Sequence, residues 1–188
     1  MDLQHGFHQL RIEEESIPLT SFQTQLGQYQ FKVMPFGLVN SPASYQRFIN
    51  ETIQPWKRKW AICYLDDILI HSKDLESHIK HLEEILGLLD AADLKIRIEK
   101  SDIGRNSLDY LGHHISGDGI SPSPKKTAAV LAWPEPRTVK QTQSYLGFTN
   151  YYRRYVPRYS KIAAPLYELT TTPKGKPFIW RQEHQDAF

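Results

Sequence analysis

Two adjacent aspartates, Asp66 and Asp67, stand between two strongly apolar runs and constrain most strongly how this chain can fold. The first run extends from Trp60 to Leu65, and the second ends at Ile70. Aspartate is depleted in strands, so the pattern predicts a buried β-hairpin whose tip carries both carboxylates. An aspartate-rich turn on the surface is the alternative, although a surface hairpin should alternate polar and apolar side chains.

A third carboxylate, Asp2, lies 64 positions before Asp66, at the start of another predicted strand. If the two strands bring Asp2 and Asp66 together, their oxygens form a site suited to Mg²⁺. The adjacent carboxylates of Asp66 and Asp67 should also raise each other's pKa unless a cation is bound there. Two divalent ions about 3.5–4 Å apart can activate a hydroxyl and stabilise a leaving phosphate oxygen. The residues alone therefore favour a site for two-metal phosphoryl transfer.

Charge divides the chain into two parts. Residues 121–188 contain 11 basic and 4 acidic side chains, a net charge of +7, and residues 1–120 hold the other 12 basic and 17 acidic ones, a net of −5. An acidic part can hold cations and a basic part a polyanion, although chance unevenness is the alternative. The composition, 40% hydrophobic and 23% charged, excludes collagen-like and low-complexity chains. A single cysteine excludes an internal disulfide and favours an intracellular setting.

Hydrophobic periodicity predicts an α+β chain whose pattern changes near residues 117–124. Before this point we expect a hairpin within 18–36, helices at 42–54 and 74–92, and strands at 94–99 and 107–115. Ser41 is the expected N-cap of the first helix, because Pro42 follows it. After this point the pattern predicts only helices, at 125–133, 138–156 and 159–169, with Thr138 as a cap and Pro165 as a break.

Three segments of the chain resemble the polymerase motifs of reverse transcriptases. Tyr64–Asp67 (YLDD) resembles their YxDD box, Met1–Gln9 their first aspartate motif, and Met34–Arg47 the motif between them. Further along, Tyr110–Ile115 resembles the primer-grip region and Thr138–Ile162 the thumb that follows it. The segments are most similar to those of gypsy-type LTR retrotransposons, and the resemblance covers essentially the whole chain in the family's order.

The resemblance implies a right-hand polymerase, with an antiparallel palm at 1–117, a helical thumb at 118–172 and the start of a linker toward ribonuclease H at 173–188. The fingers, which the family places before the first aspartate, and the ribonuclease H domain are absent from these 188 residues. We therefore expect the isolated chain to fold poorly around Asp2 and to polymerise weakly or not at all. The remainder of a Pol polyprotein is an implied partner.

In the family's chemistry, a primer 3′-hydroxyl attacks the α-phosphate of a dNTP, and pyrophosphate leaves. Asp2 and Asp66 match the main ligands of Mg²⁺, with Mn²⁺ as the alternative ion, and Asp67 matches the third carboxylate. Lys100 matches a basic residue proposed to protonate pyrophosphate, with an ordinary solvated lysine as an equal alternative. The implied partners are an RNA template, a DNA primer, dNTPs, and RNA–DNA and DNA–DNA duplexes.

The resemblance also implies contacts with the incoming nucleotide. Phe7 matches the aromatic residue that excludes a ribose 2′-hydroxyl, and Phe36, Gly37 and Gln46 match the wall around the nascent base pair and its sugar. An ordinary core aromatic is the alternative for Phe7, and a turn glycine is the alternative for Gly37.

Two further groups match contacts with nucleic acid: the primer grip, Leu111 and Gly112, and the duplex-binding residues of the thumb, Gln143, Gly147, Tyr151, Arg153 and Arg154. The first three thumb residues recur every four positions and share one helical face. The arginines are spaced to contact phosphates, which gives salt-dependent binding without sequence choice. Packing inside the thumb is the alternative for Tyr151.

Two other functions stay open beside a polymerase. One is a truncated or co-opted fragment that binds a duplex without catalysis. The other is an unrelated two-metal phosphotransfer domain, which the order of the matched motifs disfavours. No segment approaches the roughly 20 apolar residues of a membrane span, so we expect no membrane partner. The expected location is intracellular, in the cytoplasm or in a virus-like particle.

Overall fold

A computed structural model describes residues 1–54, 56, 59–171, 173 and 176–188. The chain forms two compact units, Met1–Arg105 and Asn106–Phe188. Both combine helices with antiparallel strands, which confirms the predicted α+β class. The predicted boundary at residue 117 lies inside the second unit. The predicted boundary at 172 falls on Thr172, which is outside the described residues.

Short strands build the sheets of the first unit: β1 (Asp2–Leu3), β2 (Phe22–Thr24), β3 (Gly27–Tyr29), β4 (Ala61–Tyr64), β5 (Asp67–Ile70) and β6 (Ile96–Arg97). Four of them form one antiparallel sheet in the order β4-β5-β1-β6. β2 and β3 form the hairpin predicted within 18–36. The strand predicted at 94–99 is shorter, because the chain turns into a 3-10 helix at Ile98–Lys100 directly after β6.

Two helices, α1 (Ser41–Thr52) and α2 (Leu75–Ala91), complete the first unit. The predicted N-cap at Ser41 is wrong: Asn40 occupies the cap position of α1, and its side chain makes no capping hydrogen bond. Ser41 is instead buried in the first turn, and its hydroxyl donates to the Pro35 carbonyl at 3.4 Å. α2 begins after Asp74, whose carboxylate accepts the Ser77 N–H at 2.8 Å.

The core of the first unit joins both helices to the sheet. Its largest fully buried side chains come from β1 and β5, from α1 and the turn after it, and from α2: Leu3, Ile68, Tyr45, Ile49, Ile53, Ile85 and Leu89. Truncating a buried aliphatic side chain costs about 2–5 kcal/mol, so such a cluster fixes the helices against the sheet. Packing of α1 against the sheet therefore holds in place the strands that carry the aspartates.

The second unit starts with a three-stranded antiparallel sheet formed by β7 (Ser107–Tyr110), β8 (His113–Ser116) and β9 (Gly119–Pro122). The single strand predicted at 107–115 is therefore wrong. The chain reverses at Leu111-Gly112, where both residues have positive φ angles, 50° and 81°. Such a two-residue turn suits the right-handed twist of an antiparallel hairpin. β9 lies within residues 117–124, where the pattern was predicted to change from mixed to helical, and no strand was predicted there.

The remaining elements are helices: α3 (Pro124–Leu131), α4 (Val139–Tyr151), α5 (Tyr159–Thr170) and α6 (Gln182–Ala187). Thr138 caps α4 as predicted, because its side chain accepts the Gln141 N–H. The helix predicted to reach residue 156 ends at Tyr151, and a short 3-10 helix follows it. The predicted break at Pro165 is absent, since α5 continues past it to Thr170 while its neighbours pack against α4.

The segment predicted as the start of a linker packs on the core of the second unit. Phe178, Trp180 and Phe188 contact a cluster of buried residues from α4 and α5. The Tyr145 hydroxyl donates to the Phe188 carbonyl at 2.9 Å. Among the described residues, no helix has both the length and the apolar character needed to cross a membrane.

Candidate active site and nucleic-acid interface

The three carboxylates meet where β1 and β5 pair in the first unit. Asp2 lies opposite Asp67 in the antiparallel ladder, and Asp66 occupies the two-residue turn between β4 and β5. The Leu3 N–H donates to the Asp66 carbonyl at 2.9 Å, which extends the ladder to the turn. Residues opposite each other in such a pair have Cβ atoms about 4.5–5.5 Å apart. The sheet thus brings the three predicted metal ligands into one neighbourhood.

Helix α1 supports the turn that carries Asp66. Leu65 in this turn has a φ of 51°, a left-handed conformation that is uncommon outside glycine. The amide of Gln46 binds the turn at two points: Oε1 accepts the Leu65 N–H at 2.8 Å, and Nε2 donates to the Cys63 carbonyl at 3.1 Å. Gln46, which was predicted to line the nucleotide site, therefore stabilises the turn that carries Asp66.

One oxygen of Asp66 points into the protein. Its Oδ1 and the Tyr45 hydroxyl are both buried, and neither forms a regular hydrogen bond with a described residue. Both atoms lie against Gly6, where an added Cβ would collide with each of them. Sequence reasoning missed Gly6 and the Tyr45 hydroxyl, because no local pattern links positions 6, 45 and 66.

Burial and mutual repulsion raise the pKa of two of the carboxyl groups. For Asp66, burial is the largest cause and the charges of Asp2 and Asp67 add to it, whereas the Tyr45 hydroxyl acts as a donor and opposes the rise. For Asp67, burial again comes first and the Asp2 charge adds to it. Burial, followed by the charges of Asp66 and Asp67, also raises the pKa of the Cys63 thiol to about 12. A bound cation would relieve this concentration of negative charge.

The donor set suits a hard divalent cation. Asp2, Asp66 and Asp67 offer only oxygen ligands, which Mg²⁺ prefers, and strand pairing brings their positions together. Within the part of the chain that the structure describes, no three His, Cys, Asp or Glu side chains are gathered as a ready metal site. The carboxylates therefore fit the ion by chemistry and strand position, and their side chains have to converge to bind it.

The residues predicted to contact the nucleotide include a packed aromatic group. The Phe7 ring lies edge-on to Tyr45, with centroids 5.1 Å apart, and 5.3 Å from the Phe36 ring. Phe36 is 66% exposed, and Gly37 follows it with a φ of 94°, which glycine adopts without strain. Lys100 is an exposed residue of the 3-10 helix after β6. Phe7 therefore contacts both the core and the exposed ring of Phe36.

In the second unit, two tyrosines at the end of α4 hold the Leu111-Gly112 turn. The Tyr151 hydroxyl donates to the Leu111 carbonyl at 2.9 Å, and the Tyr152 hydroxyl donates to the Gly112 carbonyl at 3.1 Å. A Cβ on Gly112 would lie only 2.7 Å from the Tyr152 hydroxyl oxygen. The two predicted primer-grip residues are thus fixed to α4 through their own backbone carbonyls.

His113 extends this contact, and we call Tyr151, Tyr152 and Tyr155 together with His113 the tyrosine clamp. The His113 ring stacks on Tyr151 with centroids 5.3 Å apart, and its Nδ1 lies 3.2 Å from the Tyr155 hydroxyl. Burial, with a smaller effect from Arg154, lowers the pKa of His113 and favours its neutral form. The clamp connects β8 with the end of α4 by packing and hydrogen bonds that the sequence pattern did not reveal.

The predicted duplex-binding residues occupy different settings in the second unit. Gln143, Gly147 and Tyr151 are all exposed on α4, and an added Cβ on Gly147 would meet no atom within 4 Å. Arg153 is exposed and lines a cavity of about 340 Å³, together with residues that include Arg158 and Lys161. Arg154 instead lies over the Tyr155 ring, and its Nη2 donates to that tyrosine's hydroxyl at 2.7 Å.

Replacing Tyr152 by phenylalanine is expected to destabilise the second unit by about 0.5–1 kcal/mol, because the Gly112 carbonyl loses one of its two donors and keeps the Ser123 N–H at 3.0 Å. The ring and its packing are retained, so helix content should not change. Urea unfolding of the chain measures the effect, and Tyr29→Phe, which removes an exposed hydroxyl from β3, is the matched control. Equal stability of Tyr152→Phe and Tyr29→Phe would show that the hydrogen bond to the turn contributes nothing.

Comparison with known families gives one match that covers most of the chain. Residues 1–115 match the family described as "Reverse transcriptase (RNA-dependent DNA polymerase)". Among curated relatives, the Retrovirus-related Pol polyproteins from transposons 297 and opus of Drosophila melanogaster are each 40% identical, over 166 and 170 residues. The Transposon Tf2-3 polyprotein of Schizosaccharomyces pombe is 34% identical over 169 residues. These alignments cover 88–90% of this chain but only 13–17% of the relatives.

Solved structures of a viral enzyme have a similar fold. The foamy viral protease-reverse transcriptase in complex with an RNA/DNA hybrid superimposes with a TM-score of 0.87 and 30% identity, covering 99% of this chain and 25% of that one. The dRH form of the same enzyme in complex with double-stranded DNA gives a TM-score of 0.91 and 30% identity, covering 99% of this chain and 32% of that one.

Proposed function

The chain belongs to the reverse transcriptase family, and from this premise we propose that it is the palm and thumb segment of a polymerase from a gypsy-type LTR retrotransposon. The observation that carries the proposal is the antiparallel pairing that sets Asp2 opposite Asp67, beside Asp66 in the adjoining turn. The relatives are Pol polyproteins of which the chain spans about a sixth. The reaction is transfer of dNMP from a dNTP to a primer 3′-hydroxyl.

We assign the polymerase parts along the chain as follows. The palm comprises residues 1–117, the thumb comprises 118–172, and residues 173–188 begin the connection toward ribonuclease H. The proposed partners are the remainder of the Pol polyprotein, an RNA template, a DNA primer and their duplexes. The proposed place of action is the cytoplasm or a virus-like particle. Support comes from relatives that are named as transposon Pol polyproteins.

The chain's share of the chemistry is positioning and charge. Asp2, Asp66 and Asp67 are the residues that would hold Mg²⁺, with Mn²⁺ as the alternative ion. When bound, the ions would activate the primer hydroxyl and neutralise charge on the leaving pyrophosphate. Gln46 keeps the Asp66 turn in place through its two hydrogen bonds to the hairpin. Lys100 donates a proton to the leaving pyrophosphate.

Selection of the sugar is assigned to the aromatic group. Phe7 packs between Tyr45 and Phe36, so its ring is held in place rather than free to rotate away. A ring fixed in this way excludes a ribose 2′-hydroxyl by sterics and leaves room for a deoxyribose. The exposed Phe36 and the unhindered Gly37 face the nascent base pair.

Duplex binding is assigned to the second unit. Gln143, Gly147 and Tyr151 form an open strip on α4, and Gly147 allows a close approach to a minor groove. Arg153 is available to a phosphate, so binding should weaken as salt rises. The tyrosine clamp connects the proposed primer-grip turn to the end of the same helix by hydrogen bonds, so we assign primer and duplex contacts to neighbouring parts of this unit.

Primer extension tests the proposal directly. The substrates are an RNA template with a DNA primer and dNTPs, with Mg²⁺ or Mn²⁺. The proteins are this chain and a foamy viral protease-reverse transcriptase in which this chain replaces the matching segment. We expect template-dependent incorporation by the chimera and duplex binding by both proteins. A chimera that folds and binds duplex but incorporates nothing would favour the other candidate, a non-catalytic duplex-binding fragment.

A further inference from the structure

Two consecutive side chains of α1 reach the turn that carries Asp66. Gln46 binds the backbone of this turn, as described above, and Tyr45 reaches the Asp66 carboxylate itself. Tyr45 is fully buried, and its ring is fixed by edge-on contact with Phe7. Its hydroxyl is therefore held at one place beneath the turn, next to Oδ1 of Asp66.

The Tyr45 hydroxyl has few choices of partner. Leaving a buried hydroxyl without an acceptor is costly, and Oδ1 of Asp66 is the polar atom beside it, since both atoms lie against Gly6. A phenol hydroxyl can donate or accept, whereas an ionised carboxylate oxygen can only accept, so the hydroxyl is the donor of this pair. The Tyr45 hydroxyl thus faces, as a donor, a carboxylate oxygen that lies inside the protein.

Because Gly6 has no side chain, the Tyr45 hydroxyl and Oδ1 of Asp66 can both lie against its backbone. A Cβ at position 6 would overlap both the Tyr45 hydroxyl and Oδ1 of Asp66. The 3-10 helix that begins at Gly6 therefore closes over the pair without separating it. Three segments far apart in the chain meet at this contact, which is why no sequence motif contains it.

We propose that the Tyr45 hydroxyl is a positioning donor for Asp66: it holds Oδ1 inside the protein and leaves Oδ2 as the oxygen offered to a divalent cation. This inference rests on the proposed function, since it assigns Asp66 to the metal. Tyr45 touches neither substrate nor ion and acts only through Asp66. Phenylalanine at position 45 retains the ring contacts and removes only the donor.

A thermal double-mutant cycle tests the pairing without any metal. We expect Tyr45→Phe to lower Tm by about 2–4 °C in the wild-type chain and to have no effect in the Asp66→Ala background. Tyr29→Phe, which removes an exposed hydroxyl of β3, should have no effect in either background. An equal Tm shift from Tyr45→Phe in both backgrounds would overturn the proposal, because the hydroxyl would then act independently of Asp66.

Binding of Mn²⁺, followed by electron paramagnetic resonance, tests the consequence for the ion. We expect Tyr45→Phe to raise the dissociation constant about 10–100-fold, the usual cost of removing a group that orients a metal ligand, with Tyr29→Phe unchanged. An unchanged constant for Tyr45→Phe contradicts the positioning role even if the thermal cycle shows coupling. If the wild-type chain takes up no Mn²⁺, the metal assignment of the proposed function fails, and with it the role of Oδ2. The thermal cycle then still decides whether the hydroxyl and the carboxylate pair.

Discussion

Replacing Asp66 by asparagine is expected to lower template-directed dNTP incorporation by about 10³-fold or more while leaving duplex affinity unchanged. The substitution preserves size and removes one negative charge from a site whose proposed work is to bind cations. Stabilisation of charge by bound metal is worth several kcal/mol, and each 1.36 kcal/mol is a factor of ten in rate. Primer extension by the chimera measures the rate, and fluorescence anisotropy with a labelled duplex measures binding.

We expect incorporation and duplex affinity to respond differently because the residues assigned to them lie in different units. Asp66 belongs to the first unit, whereas the strip of Gln143, Gly147 and Tyr151 belongs to the second. The matched control is Asp118→Asn, which makes the same chemical change at an exposed turn between β8 and β9. Asp66→Asn with near wild-type incorporation would remove Asp66 from the metal site. Parallel loss of binding and incorporation, with a lowered Tm, would instead indicate damage to the fold.

Local patterns sufficed for the parts of the fold that are stabilised by near neighbours. The apolar runs around Asp66-Asp67 predicted a hairpin, and β4 and β5 form it with a two-residue turn. The spacing of apolar residues at 74–92 predicted α2 almost to the residue, and Thr138 caps α4 as expected. In each case the signal and the interaction that it reports lie within a few positions of each other.

The turn at Leu111-Gly112 shows why other parts could not be predicted. A leucine in a left-handed conformation carries no turn signal, so the alternation through His113 favoured one continuous strand. The reversal is held by the hydroxyls of Tyr151 and Tyr152, which lie 40 positions later. Information at that separation is not present in a local pattern, and only the folded chain shows it.

The candidate site also contains residues that the sequence predicted and residues that only the folded structure reveals. The resemblance to known motifs named the aspartates, and the strand pairing accounts for their proximity. The groups that support them are Gly6, Tyr45 and Gln46, whose interactions with the Asp66 turn are all tertiary. Gln46 was expected at the nucleotide, and its amide was not expected to hold the hairpin. Support of this kind depends on packing geometry, which residue types alone do not encode.

Replacing Gly6 by alanine is expected to destabilise the first unit by about 1–3 kcal/mol, the usual cost of overpacking a tight site. The backbone of Gly6 is not in the left-handed region that favours glycine, so the effect isolates the contact of the new methyl group. That methyl group displaces the Tyr45 hydroxyl, the Asp66 carboxylate or both. Since a shift of about 1 Å in a reacting group can cost roughly 100-fold in rate, incorporation by the chimera should fall by a similar factor.

Gly87→Ala is the control that makes the Gly6 result interpretable. Gly87 is an exposed residue inside α2, and a Cβ there would meet no atom within 4 Å. The same substitution should therefore stabilise the chain by about 0.5–1 kcal/mol, because alanine favours a helix interior. Urea unfolding of both variants measures the change in the free energy of unfolding, which we expect to fall for Gly6→Ala and to rise for Gly87→Ala. If Gly6→Ala proves as stable as Gly87→Ala, the hydroxyl and the carboxylate have room to move apart, and the tight contact beneath Asp66 is not what holds that aspartate in place.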